Sequence, residues 1–399
     1  MHGNVLEIIS PVNFMTLLEI SSPEEIARWQ DVPTLIYRED HNWIPHIKQD
    51  IEKIFDPGKN KLFKEGKAKR WVLQSEGNTI GRIAAFISAK YSGAQSQPTG
   101  GIGFFECIDN REAAFALFDT AFAWLKSEGM EAVDGPINFG EKEAYWGLLV
   151  MNFTDMNSFR MNYNPPYYHA FFEAYGFRTY YEQLCFRRDL HIPLQQLYKD
   201  KASRLLQDHA YTVRSARGKS LEQIAMDFLA VYNAAWAVHP GFKKMDIQVA
   251  RKAVAGMKQV MDKDIMVFAY HHERPIGFYL NLPEVNEFMR HIGGDLNLLG
   301  KLKFLFYKWF GKRTTMVGIV FGVDEAYHGK GVEGVMIKYC EEHIVPLNRY
   351  QWTIMTWIGD FNPKMIRVAE NLGASPYRKL VTMRKYFDEK REFQRHPII

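Results

Sequence analysis

One stretch of the chain combines residue types and spacing suited to holding an anion. Val317-Gly318-Ile319-Val320-Phe321-Gly322-Val323 reads as an apolar strand. Asp324 to Tyr327 makes a short connection, and His328-Gly329-Lys330-Gly331-Val332-Glu333-Gly334 opens a helix. The first N–H groups of a helix have no intrahelical acceptor and carry the positive end of its dipole. Glycines at such an opening let the backbone approach a ligand and take positive φ. The chemistry this predicts is binding of a pyrophosphate.

Other phosphate folds fit less well. Gly329 to Gly334 matches G-x-G-x-x-G, but the dinucleotide form follows its strand directly and has an acid about 20 residues further on. Here five residues separate Val323 from Gly329, Asp360 lies too far downstream, and too little chain remains. The sequence has no G-x-x-x-x-G-K-[ST], no G-x-S-x-G, no H-E-x-x-H and no Cys-x-x-Cys. Its 13 histidines show no metal-ligand spacing, so no metal is predicted.

The elements around this motif occur twice. Trp71 to Phe86 reads as a hairpin turning at Glu76-Gly77-Asn78, and Ile265 to Leu280 as a second, with His271-His272 in its turn. Each precedes a strand, a helix and another strand: Gly103–Ile108 with Arg111–Ser127, then Met316–Val323, Val332–Ile344 and Gln351–Ile358. Each half then has a helix opening at Asn-Pro (Asn164, Asn362) and stopping at Gly (Gly176, Gly373). The offsets agree: 277 − 81 = 196 for Gly81 and Gly277, 362 − 164 = 198 for the asparagines, and 373 − 176 = 197 for the stop glycines. This predicts a duplicated mixed α/β domain, residues 1–190 and 191–399, with the boundary near Asp189–Leu197.

On the strand, turn and helix of 317–343, the C-terminal half resembles the GCN5-related N-acetyltransferase (GNAT) superfamily. That family's [Gln/Arg]-x-x-Gly-x-[Gly/Ala] signature falls on His328 to Glu333. The whole chain resembles bacterial proteins with two such folds in tandem. The resemblance rests on Asp56-Pro57-Gly58-Lys59-Asn60, Gly81-Arg82-Ile83-Ala84-Ala85, Gly103-Phe104-Phe105-Glu106, Gly135-Pro136-Ile137-Asn138, Trp146-Gly147-Leu148-Leu149 and Tyr163-Asn164-Pro165-Pro166-Tyr167-Tyr168. The fold class it implies is a mixed α/β sheet, a tandem duplication of the GNAT fold.

The resemblance also implies a site. Amides of Gly329, Lys330, Gly331 and Val332, behind His328, would bind the pyrophosphate of acetyl-CoA or another acyl-CoA. The backbone at Phe321, Gly322 and Val323 would pair with the pantetheine arm and stabilise an oxyanion. Asn362 would lie beside the arm. The implied reaction is direct attack of an amine, on a small molecule or peptide, on the thioester. The alternative is a non-catalytic CoA-binding protein or a degenerate scaffold. Glu333 and His328 depart from the signature, and Ala369 stands where the family often has a proton-donating Tyr, as does Phe172 in the first half. Asp324, Glu325, Tyr327, His328 and Tyr377 are catalytic candidates by sequence proximity. The first half has Asp109-Asn110-Arg111-Glu112 where a glycine-rich turn should be, so no CoA binding is expected there.

Composition bounds the partners. A formal charge of +4 over 399 residues does not suggest a nucleic-acid binder, which also weighs against a transferase using aminoacyl-tRNA. Three widely spaced cysteines, no secretory signal and no long apolar run point to a cytoplasmic protein without stable membrane insertion. Gly300 to Arg313 is aromatic and basic, with five cations and no acid. It reads as an amphipathic helix packed on its own domain, or else a lid, a membrane-surface contact or a dimer contact. Trp146, Tyr163, Tyr167 and Tyr168 around Asn138 and Asn164 suit either a small-substrate pocket or core packing. The same holds for Tyr232 to Trp236 with His239 and Phe242.

Overall fold

The computed structural model of the chain describes residues 5–9, 14–237 and 244–398. His239 and Phe242 lie outside the described residues. The strands are β1 (Val5–Ile9), β2 (Phe14–Glu19), β3 (Gly66–Ser75), β4 (Asn78–Ser88), β5 (Thr99–Cys107), β6 (Ala132–Gly135), β7 (Leu148–Met151), β8 (Arg178–Asp189), β9 (Tyr211–Ser215), β10 (Met266–His271), β11 (Arg274–Pro283), β12 (Thr315–Val323), β13 (Trp352–Gly359) and β14 (Ser375–Tyr386). The helices are α1 (Pro23–Ile36), α2 (Lys48–Phe55), α3 (Ala89–Ser92), α4 (Arg111–Ser127), α5 (Tyr167–Ala174), α6 (Gln196–Leu205), α7 (Leu221–Ala235), α8 (Ile247–Met257), α9 (Asn286–Met289), α10 (Leu298–Phe310), α11 (Val332–Tyr339) and α12 (Pro363–Asn371).

Both predicted hairpins form, as β3–β4 and β10–β11. Their two-residue turns take positive φ, at Glu76 and Gly77 in the first and at His272 and Glu273 in the second. That hand matches the twist of the flanking strands. The predicted α4 is observed over Arg111–Ser127, its apolar stripe (Ala114, Leu117, Phe118, Ala121, Leu125) buried on the sheet. The predicted helix from Val332 is regular only to Tyr339; Cys340–Ile344 continues it as a π-turn.

Each half is a sheet with helices on both faces, and the side-chain period of two makes this possible. In β10, Val267 and Ala269 join the core under α11, while Met266, Phe268 and Tyr270 join the core under α7 and α8. The two halves form one sheet in the order β1-β2-β3-β4-β5-β6-β14-β8-β13-β12-β11-β10-β9, with β7 also on β14. The duplication is plain in the last strand of each half, since 375 − 178 = 197 and 386 − 189 = 197. Those last strands are exchanged. β8 of the first half pairs with β13 of the second, β14 of the second pairs with β6 of the first, and β8 and β14 pair with each other between them. A buried ion pair marks the crossing. Arg384 on β14 donates from Nε and Nη2 to Asp134 on β6, at 2.6 and 2.7 Å.

Candidate acyl-transfer cleft

The parallel strands β12 and β13 pair only from Thr315 to Gly318 and from Trp352 to Met355. Beyond Gly318 they diverge, which leaves one edge of β12 without its neighbour. At the same point β12 bulges against β11: Leu280 pairs with Val320 and Asn281 with Gly318, so Ile319 is the extra residue. A bulge bends a strand and re-aims its groups. The divergence opens a cleft of about 640 Å³. Its walls include Ile319, Phe321, Trp357, Met365 and Leu372 from the second half, and Ser158, Phe159 and Met161 from the first. The two halves therefore share one cleft. Gly322 keeps one wall thin, because a Cβ there would stand 2.8 Å from the Trp236 ring.

At the outer end of β12, the predicted turn has the conformation an anion site needs. Gly329 has φ +74 with open space on its Cβ side, and Gly331 caps α11 at φ +94 without any side-chain cap. The Lys330 N–H donates back to the Tyr327 carbonyl at 3.3 Å. Among the described residues, the N–H groups of Gly329, Gly331 and Val332 have no protein acceptor. His328 donates from Nε2 to the Val323 carbonyl at 3.0 Å, fastening the turn to the strand end. Glu333 lies on the α6 side of the helix, where its charge joins burial in raising the pKa of Tyr198. Gly334 faces α6 as well, opposite the Tyr198 carbonyl, rather than extending the turn. The residues present thus fit a pyrophosphate, with open backbone donors at a helix start, and of the predicted strand residues Phe321 lines the cleft while Gly322, Val323 and the turn itself do not.

The side chains proposed from sequence proximity do not line the cleft. Asp324 accepts from Arg274 at 2.7 Å and from the Ala326 N–H at 3.1 Å. The Tyr327 hydroxyl bonds His271 Nδ1 at 2.9 Å. Tyr377 lies with its ring 4.2 Å from the Arg187 guanidinium, and burial raises its pKa to about 12. Glu325 belongs to the short turn between Asp324 and His328. Phe321 and Asn362 do line the cleft, and the Asn362 side chain also caps α12 by accepting from the Met365 N–H at 3.2 Å.

Sequence reasoning missed the buried carboxylate of the cleft, which the exposed Glu143 also lines. Glu284 follows directly on β11, is only 2% exposed, and lines the cleft beside Val285 and Phe159. Its Oε1 accepts from the Phe159 N–H at 2.9 Å and the Asn286 N–H at 3.0 Å. Its Oε2 is buried and has no partner. Burial pushes its pKa up to about 7, against the opposing pull of the amides of Asn286 and Phe159 and the Ser158 hydroxyl. In sequence, the available signal was an acid placed immediately after a strand-ending proline, Pro283.

The equivalent region of the first half is filled. β5 and β6 pair only over Thr99–Gly101 and Ala132–Asp134, yet the space beyond is a cavity of about 90 Å³. Glu106 there accepts from the hydroxyls of Tyr37 (2.7 Å) and Tyr168 (3.0 Å), with Arg82 at 3.6 Å. Tyr163 and Asn164 line the same cavity, whereas Trp146 donates to the Tyr181 and Thr382 hydroxyls in the core. The start of α4 is closed by Asn110, which accepts from the Ala113 N–H at 2.9 Å, where the start of α11 is open.

The chain has the GNAT fold in tandem. It superposes on a tandem GNAT protein from the clavulanic acid biosynthesis pathway with a TM-score of 0.50 and 11% identity, covering 93% of this chain and 98% of that one. Among curated relatives, it is 26% identical to protein YghO of Escherichia coli K12 over 87% of this chain and 89% of that protein. It is 24% identical to the bacterial ceramide synthase of Caulobacter vibrioides over 91% of this chain and 95% of that protein. No protein-family profile matches the chain. Among the described residues no helix is long and apolar enough to cross a membrane, and no group of three or more His, Cys, Asp or Glu could hold a metal ion.

Proposed function

We propose that the chain transfers an acyl group from a long-chain acyl-CoA to the amine of an amphiphilic acceptor. The observation that carries this reading is the cleft: large, apolar-walled, and holding one buried carboxyl that titrates near neutrality. Its size falls within the usual range for ligand sites, about 300–1,000 Å³. The C. vibrioides relative supports the choice of acceptor, since a ceramide is the amide of a fatty acid with a long-chain amino alcohol.

In this reading, Gly329, Gly331 and Val332 hold the pyrophosphate and the free edge of β12 holds the pantetheine arm. The bound acyl-CoA supplies the thioester. Glu284, in the cleft wall, takes a proton from the acceptor's ammonium, and the freed lone pair attacks the acyl carbon. A backbone N–H of the bulged strand faces the developing oxyanion. The C–N bond forms, the nitrogen's second proton passes to the departing thiolate as the C–S bond breaks, CoA leaves as the free thiol, and Glu284 returns its proton to water. No enzyme thiol takes part: Cys107, Cys185 and Cys340 are buried, and burial raises the pKa of Cys185 and Cys340 to about 12.

The test is thiol release and amide formation by the full chain, with acetyl-CoA and palmitoyl-CoA each offered to ethanolamine and to a long-chain amino alcohol. Turnover confined to the long-chain pair is the expected result. Saturable binding of acyl-CoA without thiol release would favour the non-catalytic CoA-binding alternative, for which Ala369 in place of the family's Tyr is the motive.

A further inference from the structure

We propose that α10 docks the protein on an anionic lipid bilayer, lying in the interface beside the cleft. Of the 14 exposed large apolar residues among the described residues, seven are on this one helix: Leu298, Leu299, Leu302, Leu305, Phe306, Trp309 and Phe310. At about 100° per residue they fall within one arc of about 140°. The opposite side of the helix, at Gly300, Phe304 and Tyr307, packs inward. Lys301 and Lys308 flank the apolar arc on one side and Lys303 on the other. Between Asp295 and Asp324 the chain has five basic residues and no acidic one. An apolar stripe bordered by cations is the pattern of a helix lying at a lipid surface.

The charge selects among occupants. A second copy of this chain would bring the same cations face to face across a two-fold axis, where they repel. An anionic bilayer offers the complementary sign and a nonspecific apolar layer for Trp309, Phe306 and the leucines. Position argues the same way. The inner face of α10 packs into a cluster with Val285 and Phe159, which are also walls of the cleft. The docked helix would hold the cleft near the membrane, where an amphiphilic amine resides. This inference deepens the proposed function, and the link to the acceptor rests on that reading; the docking itself does not.

The test is flotation of the full chain with phosphatidylcholine vesicles, with and without phosphatidylglycerol, alongside the variant Leu302→Glu/Trp309→Glu. The expected result is binding at least tenfold stronger to phosphatidylglycerol vesicles, and at least tenfold loss in the variant with unchanged melting temperature and acyl-CoA binding. Wild-type protein that fails to float, or a variant that floats equally well, overturns the proposal. So does light scattering that shows a wild-type dimer, dissociated in the variant, with no vesicle binding. A protein that floats but never turns over would refute the proposed reaction and leave the docking intact.

Discussion

The carboxyl of Glu284 and the backbone N–H of Phe159 meet at 2.9 Å, 125 residues apart, one from each repeat. The bond holds Oε1, while Oε2 is buried in the cleft wall without a hydrogen bond. A carboxyl kept this dry holds its proton near neutrality, which is where a general base for an amine is effective. The first repeat, whose own cleft is closed by Tyr37 and Tyr168 around Glu106, thus supplies part of the wall of the second repeat's cleft.

The proposed role of Glu284 has a kinetic signature. Glu284→Gln keeps an acceptor for the Phe159 and Asn286 amides but cannot take a proton. It should lower kcat/KM by about 100-fold or more. In the wild type, kcat/KM should rise with pH through about 7 as the carboxyl ionises, and the variant should lose that limb. Thiol release measured across pH checks both. A variant within threefold of wild type would remove Glu284 from the chemistry.

The same group predicts how stability depends on pH. Its folded pKa is raised above its unfolded value, so the folded state binds the proton more tightly. That contribution is fully present below the ordinary carboxyl range and is lost as pH rises through about 7. Relative to wild type, Glu284→Gln should therefore gain stability between about pH 5 and about pH 8, by roughly 3 kcal/mol. Urea unfolding at the two pH values measures it, and a parallel pair of profiles would contradict the buried, raised carboxyl.

Local signals in the sequence carry local structure. The two hairpins, α4 and the strand–turn–helix at 317–339 were legible because turn residues, end caps and periodicity are short-range. The exchange of β8 and β14 was not. Both are long strands at one offset in the repeat, and the edge each joins is decided by contacts 250 residues apart, such as Arg384 with Asp134. Glu284 was illegible for a related reason: its burial depends on Ser158 and Phe159, and nothing beside it in sequence announces them. Asp324 and Tyr327 stood out by nearness to the motif, yet their side chains turn to Arg274 and His271. The helices α1 and α7 do open at capping boxes, Ser22 with Glu25 and Ser220 with Gln223, but such local signals mark only a start, and only the packed sheet shows which faces the helices cover.

The helix opening at α11 can be tested apart from chemistry. Gly331 has φ +94, and a Cβ there would point at α6, 3.9 Å from the Lys201 carbonyl. Gly331→Trp would strain that conformation and press its ring against α6, displacing the amides of the turn that the pyrophosphate reading requires. Calorimetry should show saturable acyl-CoA binding to the wild type and at least tenfold weaker binding to the variant. Equal affinities in two folded proteins would move the pyrophosphate elsewhere.

The strand exchange predicts that neither repeat folds alone. A chain cut after residue 190 would leave β6 without β14 and β8 without β13, exposing two unpaired edges and the apolar faces beside them. Fragments 1–190 and 191–399 should each be aggregated or unfolded by circular dichroism, and should recover structure only when co-expressed. The ion pair at the crossing gives a graded version of the test. Asp134→Leu leaves the Arg384 guanidinium, 2% exposed, without its carboxylate and should cost about 3–5 kcal/mol. Adding Arg384→Met removes the stranded charge and should recover much of that loss, because replacing both partners of a buried pair by apolar groups is often nearly neutral. Full stability of Asp134→Leu alone would mean that the central strands hold together without the pair.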